Sequence, residues 1–293
     1  MTPRQADIQH RAEELASTLP ALLVAARRVA STVSQGVHGR RRVGQGETFW
    51  QFRRYEQGDS TQRIDWRQSA KSQPVYIRET EWEAAQSVWL WRDSSASMDY
   101  ASGPGQPRKI DRANLLLMAL AVLLVQGGER VALLGTGQRP SSGRGTLDRM
   151  AQSLEDGEPK TESLPRVEAL PRYARIVFVG DFLSPLAEVK ASIAAFEGLG
   201  VRGHLLQIVD PAEESLPFTG RVRFQGMEND GEVLIGRVDT LAKEYRETMQ
   251  ARLTALARLA RSAGWTFATH RTDKPPETAL LALYMHMSQA LHR

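Results

Sequence analysis

The sequence has no cysteine among its 293 residues. Disulfides, thiolate metal ligands and cysteine nucleophiles are excluded together, and a reducing compartment suits such a chain. A long apolar run is also missing. The longest, Leu115 to Val125 (LLLMALAVLLV), has 11 residues, whereas a spanning helix needs ~20. It is expected to be a buried core helix. The opening residues, MTPRQADIQHRAEELAS, are polar and carry acids, without the apolar core of a secretory signal. The expectation is a cytoplasmic protein with no transmembrane segment.

Charge of one sign is scarce too. The 38 Lys and Arg face 34 Asp and Glu, a net +4, and bases and acids are mixed except at Arg40-Arg41-Arg42. A nucleic-acid footprint is denser and lies on one face, so nucleic acid is not an expected partner. Familiar catalytic patterns are lacking: there is no Gly-x-Ser-x-Gly elbow, no Walker loop and no His-Glu-x-x-His helix. The six histidines are scattered, and none pairs at zinc-ligand spacing.

What is present reads as an ordinary globular chain, 41% hydrophobic and 25% charged, long enough for one large or two modest domains. Residues 4–33 have amphipathic helical spacing, broken or kinked at Pro20. From Ser87 onward, apolar runs of strand character alternate with helical stretches. SVWLWRD, VALLGT, RIVFVGD, VRGHLLQIVD and WTFATH are the strands; 111–127, 147–154, 185–198, 240–262 and a terminal segment from about Glu277 are the helices. This alternation predicts crossover units, hence an α/β fold with a doubly wound, mostly parallel sheet. Residues 217–238, around Asn229-Asp230-Gly231, interrupt it as a β-hairpin insertion. Two parts are expected: an N-terminal helix/strand segment, 1–85, and the sheet domain, 86–293.

Three predicted strands end in acid, at Asp93, Asp181 and Asp210. Ligands of open parallel sheets sit at the strands' carboxyl ends, so these acids mark where to look. Asp93-Ser94-Ser95-Ala96-Ser97 stands out. Its alternating carboxylate and hydroxyls can turn inward together and offer hard oxygen donors, suited to magnesium or manganese. A Ser-rich turn with a capping Asp is the plainer alternative. Thr146, where a Gly-rich loop enters a helix, and Asp181 are the further candidates; Thr136 competes with Thr146 but has no helix after it.

Asp-x-Ser-x-Ser after the first strand, a Thr 53 residues on and an Asp 35 residues beyond that resemble the metal-ion-dependent adhesion site of von Willebrand factor A domains. That resemblance makes Asp93, Ser95, Ser97, Thr146 and Asp181 the candidate ligands of Mg2+ (or Mn2+/Ca2+), some direct and some through water. It also implies the von Willebrand A type of sheet. The upstream stretch 44–83 is similar to the signature of the domain-of-unknown-function 58 family. Gly44, Gly46, Phe52, Arg54, Tyr55, Gly58, Asp59, Arg63, Ile64, Asp65, Trp66, Ser69, Ala70, Arg78 and Glu79 stand at its characteristic positions. The similarity spans about residues 38–285. Departures are Trp91-Arg92 before Asp93, where an apolar pair is more usual, and the lack of the transmembrane N-terminal extension of many relatives.

The interleaved arginines and acids of 44–83 either lock that segment onto the sheet through bidentate pairs or present Arg, Tyr and Trp to a partner. The family resemblance implies a metal-dependent protein-binding adapter. Its partner would offer an acidic side chain to the metal, in company with a MoxR-type AAA+ ATPase that assembles or activates other proteins. The alternative is a metal-dependent hydrolase using Asp93 and Asp181, for which no nucleophile or base can be named.

Overall fold

A computed structural model describes residues 21–38, 48–56, 64–71, 74–81, 86–156, 163–227 and 231–289. The helical reading of residues 4–20 and much of the 44–83 signature lie outside these. The chain divides into two compact units, Arg42–Ala85 and the remainder.

In the smaller unit, β1 (Thr48–Arg54) runs antiparallel to β2 (Tyr76–Glu81), with Phe52 opposite Arg78. Between them Asp65 caps the short α2 (Trp66–Ser69), its carboxylate accepting the Gln68 N–H at 2.9 Å. Ser69 then donates to the Asp65 carbonyl at 2.7 Å and accepts the Tyr76 N–H at 2.9 Å. Asp65 thus satisfies an N–H that a four-residue helix leaves open, and Ser69 ties the end of the helix to the first residue of β2.

The larger unit is a mixed α/β structure whose central sheet has five strands, all parallel: β3 (Ser87–Arg92), β4 (Arg130–Leu133), β5 (Arg175–Gly180), β6 (Arg202–Val209) and β9 (Thr266–Arg271). Their order is β4-β3-β5-β6-β9. Parallel strands are covered on both faces, so continuous apolar runs become strands and their side chains alternate between two cores. Val88, Leu90, Val177 and Val179 enter one core; Trp89, Trp91, Ile176 and Phe178 enter the other.

The first core is closed by α3 (Lys109–Gln126), α4 (Arg144–Glu155) and α8 (Pro276–Gln289), with α1 (Ala21–His38) packed over α3. Leu116 to Leu124 are all buried, because α3 has the sheet on one side and α1 on the other. The apolar run that is too short for a membrane finds its place there. Helix α1 thus packs on the helical layer of the larger unit, through Leu23, Ala26, Ala30 and Val33. The second core, under α5 (Leu186–Gly198) and α7 (Ala242–Ser262), is aromatic: the Phe178 ring meets Trp91, Phe196 and Trp265 edge-on at 5.4–5.6 Å. Gly203 makes room for this, since a Cβ there would fall 2.1 Å from the Trp265 ring.

Between β6 and α7 stand the five-residue helix α6 (Pro211–Ser215) and an antiparallel hairpin, β7 (Val222–Gln225) with β8 (Glu232–Ile235). Among the described residues no helix is long and apolar enough to cross a membrane.

Candidate metal centre

Connections out of β3 and β5 run in opposite directions, to β4 on one side and β6 on the other. This is the switch point of a doubly wound sheet, where departing loops leave a crevice at the carboxyl ends. Asp93 leaves β3 there and Asp181 leaves β5. The Asp93 N–H donates to the Val179 carbonyl at 2.8 Å, extending the ladder to the edge of the crevice. Gly180 makes the approach possible: a Cβ on it would lie 2.6 Å from Asp93 Cβ and 3.0 Å from its Oδ2.

The Asp93-to-Ser97 loop folds back on its own acid. Asp93 Oδ1 accepts the Ser95 N–H at 2.9 Å and the Ser95 hydroxyl at 2.6 Å. Ser95 Oγ lies 3.0 Å from Ser97 Oγ, and Ser97 donates to Asp181 Oδ2 at 2.7 Å. Four of the five sequence-predicted residues therefore form one chain of oxygens from two strands. Thr146 is joined elsewhere. It is buried in the first turn of α4, its hydroxyl 2.7 Å from Ser141 Oγ and 3.4 Å from an Arg149 nitrogen.

The Asp181 loop is held from several sides. Gln207 donates to its carbonyl at 2.9 Å, and Arg252 of α7 donates to the carbonyls of Phe182 and Ser184. Phe182 has φ +53°, a left-handed conformation costly for a residue with a Cβ. Such strain survives only where the surroundings over-determine it.

Sequence reasoning missed the residue at the centre of the crevice. Lys109, at the start of α3, is fully buried, and its Nζ lies 2.9 Å from Asp181 Oδ2 and 2.5 Å from Glu213 Oε1. Burial alone would lower its pKa, but Asp181 and Glu213 outweigh burial and hold it above the ordinary lysine value. Burial raises the Glu213 carboxyl, against the pull of Lys109. Glu213 Oε2 accepts the Asp210 N–H at 2.9 Å, and the Asp210 carboxylate accepts the N–H of Ala212 at 2.8 Å and of Ser102 at 3.0 Å. The capping box of α6 is thus wired into the crevice. A lysine at a helix start carries no sequence signal of burial; the one signal that could have pointed here, and was not read, is the spacing of Asp210 and Glu213 in DPAEES.

What could this arrangement hold? Among the described residues no three His, Cys, Asp or Glu cluster as a metal site, so a cation here would rely on hydroxyls and water. Magnesium accepts that, with bonds of ~2.0–2.1 Å that set neighbouring octahedral oxygens ~3 Å apart. The Ser95–Ser97 separation is 3.0 Å. The donor set fits a hard, partly hydrated cation bound by Asp93, Ser95 and Ser97.

The family model described as "Protein of unknown function DUF58" matches residues 51–256. The chain belongs to the DUF58 family. Uncharacterized proteins of Mycobacterium bovis and Mycobacterium tuberculosis are 26% identical to this DUF58 chain over 281 residues, covering 89% of it and 86% of each of them. Among solved structures, conserved hypothetical protein BatB from Bacteroides thetaiotaomicron is similar with TM-score 0.43 and 14% identity, over 71% of this chain and all of that one. An aerotolerance-related membrane protein from Bacteroides fragilis gives TM-score 0.39 and 16% identity, over 70% of this chain and 100% of that one.

Proposed function

We propose that this DUF58 protein is a divalent-cation-dependent protein-binding adapter of the von Willebrand factor A type. The observation that carries the reading is the Ser97 hydroxyl donating to Asp181 across 84 residues of sequence, which draws the Asp93 loop and the β5 terminus together at the switch point. A bound cation would supply an electrophilic centre with open positions for an anionic ligand. Asp93, Ser95 and Ser97 present oxygen to it, and Asp181 orients Ser97. With so few protein anions in contact, a partner's carboxylate is the natural completing group. The family resemblance points to a MoxR-type AAA+ ATPase as co-worker in assembling or activating other proteins; because that partner consumes ATP, the complex belongs in the cytoplasm.

The crevice chemistry favours binding over hydrolysis. Lys109 is an ammonium between two carboxylates, not a base, and both Glu213 oxygens are committed to Lys109 and the Asp210 N–H. A hydrolase would need a free base within reach of the attacked atom's water.

Calorimetric titration of the full chain with Mg2+ and Mn2+ tests the cation, with Asp93→Ala as control. Binding in the millimolar range or tighter, lost in D93A, is expected; no wild-type binding at millimolar metal overturns the reading. Pull-down of a purified AAA+ partner with and without chelator tests ligand completion. Association that chelator leaves untouched rules out the coordination mechanism.

A further inference from the structure

We propose that Lys109 is a positioning residue that withholds Asp181 from the cation and so sets how weakly the site binds metal. This deepens the adapter reading and rests on it. Asp181 has two oxygens, and both are in use. Oδ1 accepts the Leu183 N–H at 3.2 Å; Oδ2 accepts Ser97 at 2.7 Å and the Lys109 ammonium at 2.9 Å. For Oδ2 to turn to a metal, Lys109 must give up half of its anionic support.

The ammonium has nowhere else to go. The side chain is 0% exposed and Asp181 is 3% exposed, its second anion is Glu213 at 2.5 Å, and the ring of Tyr100 closes it off at 6.0 Å. A buried ammonium stripped of one partner is left with an uncompensated desolvation penalty, which a cation bound mainly through hydroxyls and one carboxylate does not return. Glu213 is itself fixed, through the Asp210 N–H and the Tyr245 hydroxyl, which donates to its carbonyl at 2.7 Å. The lysine therefore acts as a resident counter-ion. It keeps the crevice assembled without metal and leaves the cation short of negative charge, and such a cation holds an acidic partner group more firmly than a fully neutralised one.

The test is Mn2+ titration calorimetry on the full chain, wild type against D93A, the double variant K109M/E213Q and the single variant E213Q, each with a thermal melt to establish folding. The double variant removes the ammonium together with one of its two carboxylates, leaving Asp181 available. Its Mn2+ affinity is expected to rise about 10- to 100-fold, the scale on which a ligand's supporting partners tune metal sites. A merely structural role for Lys109 could lower affinity but not raise it. E213Q leaves the ammonium to Asp181 alone and is expected to bind Mn2+ no more tightly than wild type; a gain there overturns the proposal even if the double variant fails to fold. A folded double variant with wild-type or weaker affinity also overturns it, and leaves the adapter reading standing if wild type binds and D93A does not. If only the double variant binds, Lys109 is confirmed as the barrier and it is the cation-dependent reading of the native chain that falls. If none binds, both fall.

Discussion

At the amino end of the sheet His204 sits beside Arg175 and is held neutral; at the carboxyl end Lys109 sits between Asp181 and Glu213 and is held charged. Both are buried bases, and burial pushes both toward the neutral form. Their neighbours decide the outcome. Burial, then the Arg175 guanidinium and His286, bring His204 down to about 4, its Nδ1 settling 2.5 Å from Thr266 Oγ1. His270 shows that location in the sheet is not the cause. It lies near the carboxyl end, yet burial and the facing Arg112 bring it to about 4 as well, against the weaker pull of Asp273. A parallel sheet sends the carboxyl termini of all its strands to one end, and here β3, β5 and β6 carry Asp93, Asp181 and Asp210 there. Carboxylates accumulate there, and an ammonium can stay buried and charged.

The contrast is most sharply tested by Lys109→Met alone. It leaves Asp181 and Glu213 buried without their cation, and loss of about 3–5 kcal/mol of stability is expected, measured by urea unfolding. K109M/E213Q should recover a good part of that. A single variant as stable as wild type would mean that the carboxylates do not depend on the lysine.

The neutral histidines predict a pH dependence of opposite origin. Their folded pKa values lie below the unfolded 6.5, so the unfolded chain takes up protons first. Stability present above pH ~6.5 is lost as pH falls toward 4, by about 2 kcal/mol per histidine at pH 5. Comparing unfolding at pH 7.5 and pH 5, His204→Asn should lose about 2 kcal/mol less than wild type. An unchanged difference would show that His204 is protonated in the fold.

A smaller effect, on the order of 1–3 kcal/mol, is expected from Gly180→Ala, because the new methyl meets Asp93 Cβ at 2.6 Å. Cation binding should be lost with it, as Asp93 is pushed from the β5 terminus. Smallest is Ser97→Ala, which removes the bridge to Asp181 and should cost about 1 kcal/mol. Its thermal melt should shift by only a few degrees while Mn2+ affinity falls; an unaltered affinity would remove Ser97 from the ligand set.

Most of the fold could be read from the residues. The five runs read as strands became the five strands of the central sheet, because apolar stretches of four to eight residues between helical stretches have few other ways to bury both faces. VALLGT proved shorter, ending at Leu133, as Thr136 turns back to donate to the Leu133 carbonyl at 2.8 Å. The hairpin expected within 217–238 is present as β7 paired with β8, while Asn229 and Asp230 of its expected turn lie outside the described residues. Asp93, Ser95, Ser97 and Asp181 were visible as strand-end acids and hydroxyls, and the fold joins them. Thr146 was placed correctly at a helix start, but its hydroxyl turns to Ser141, a choice of rotamer and neighbour with no trace in spacing.

By itself, the sequence determined the five strands of the central sheet and the longer helices between them, the family, and which acids would sit at strand ends. Each of these depends on local periodicity or on a motif read over a few dozen residues. Only the tertiary structure decided the order β4-β3-β5-β6-β9, which puts Asp93 and Asp181 side by side across 88 residues of chain. It also decided the burial of Lys109, 72 positions from Asp181 and 104 from Glu213. The reason is that a charge's environment is set by what packs around it, and α3, β5 and α6 meet only when the sheet is complete.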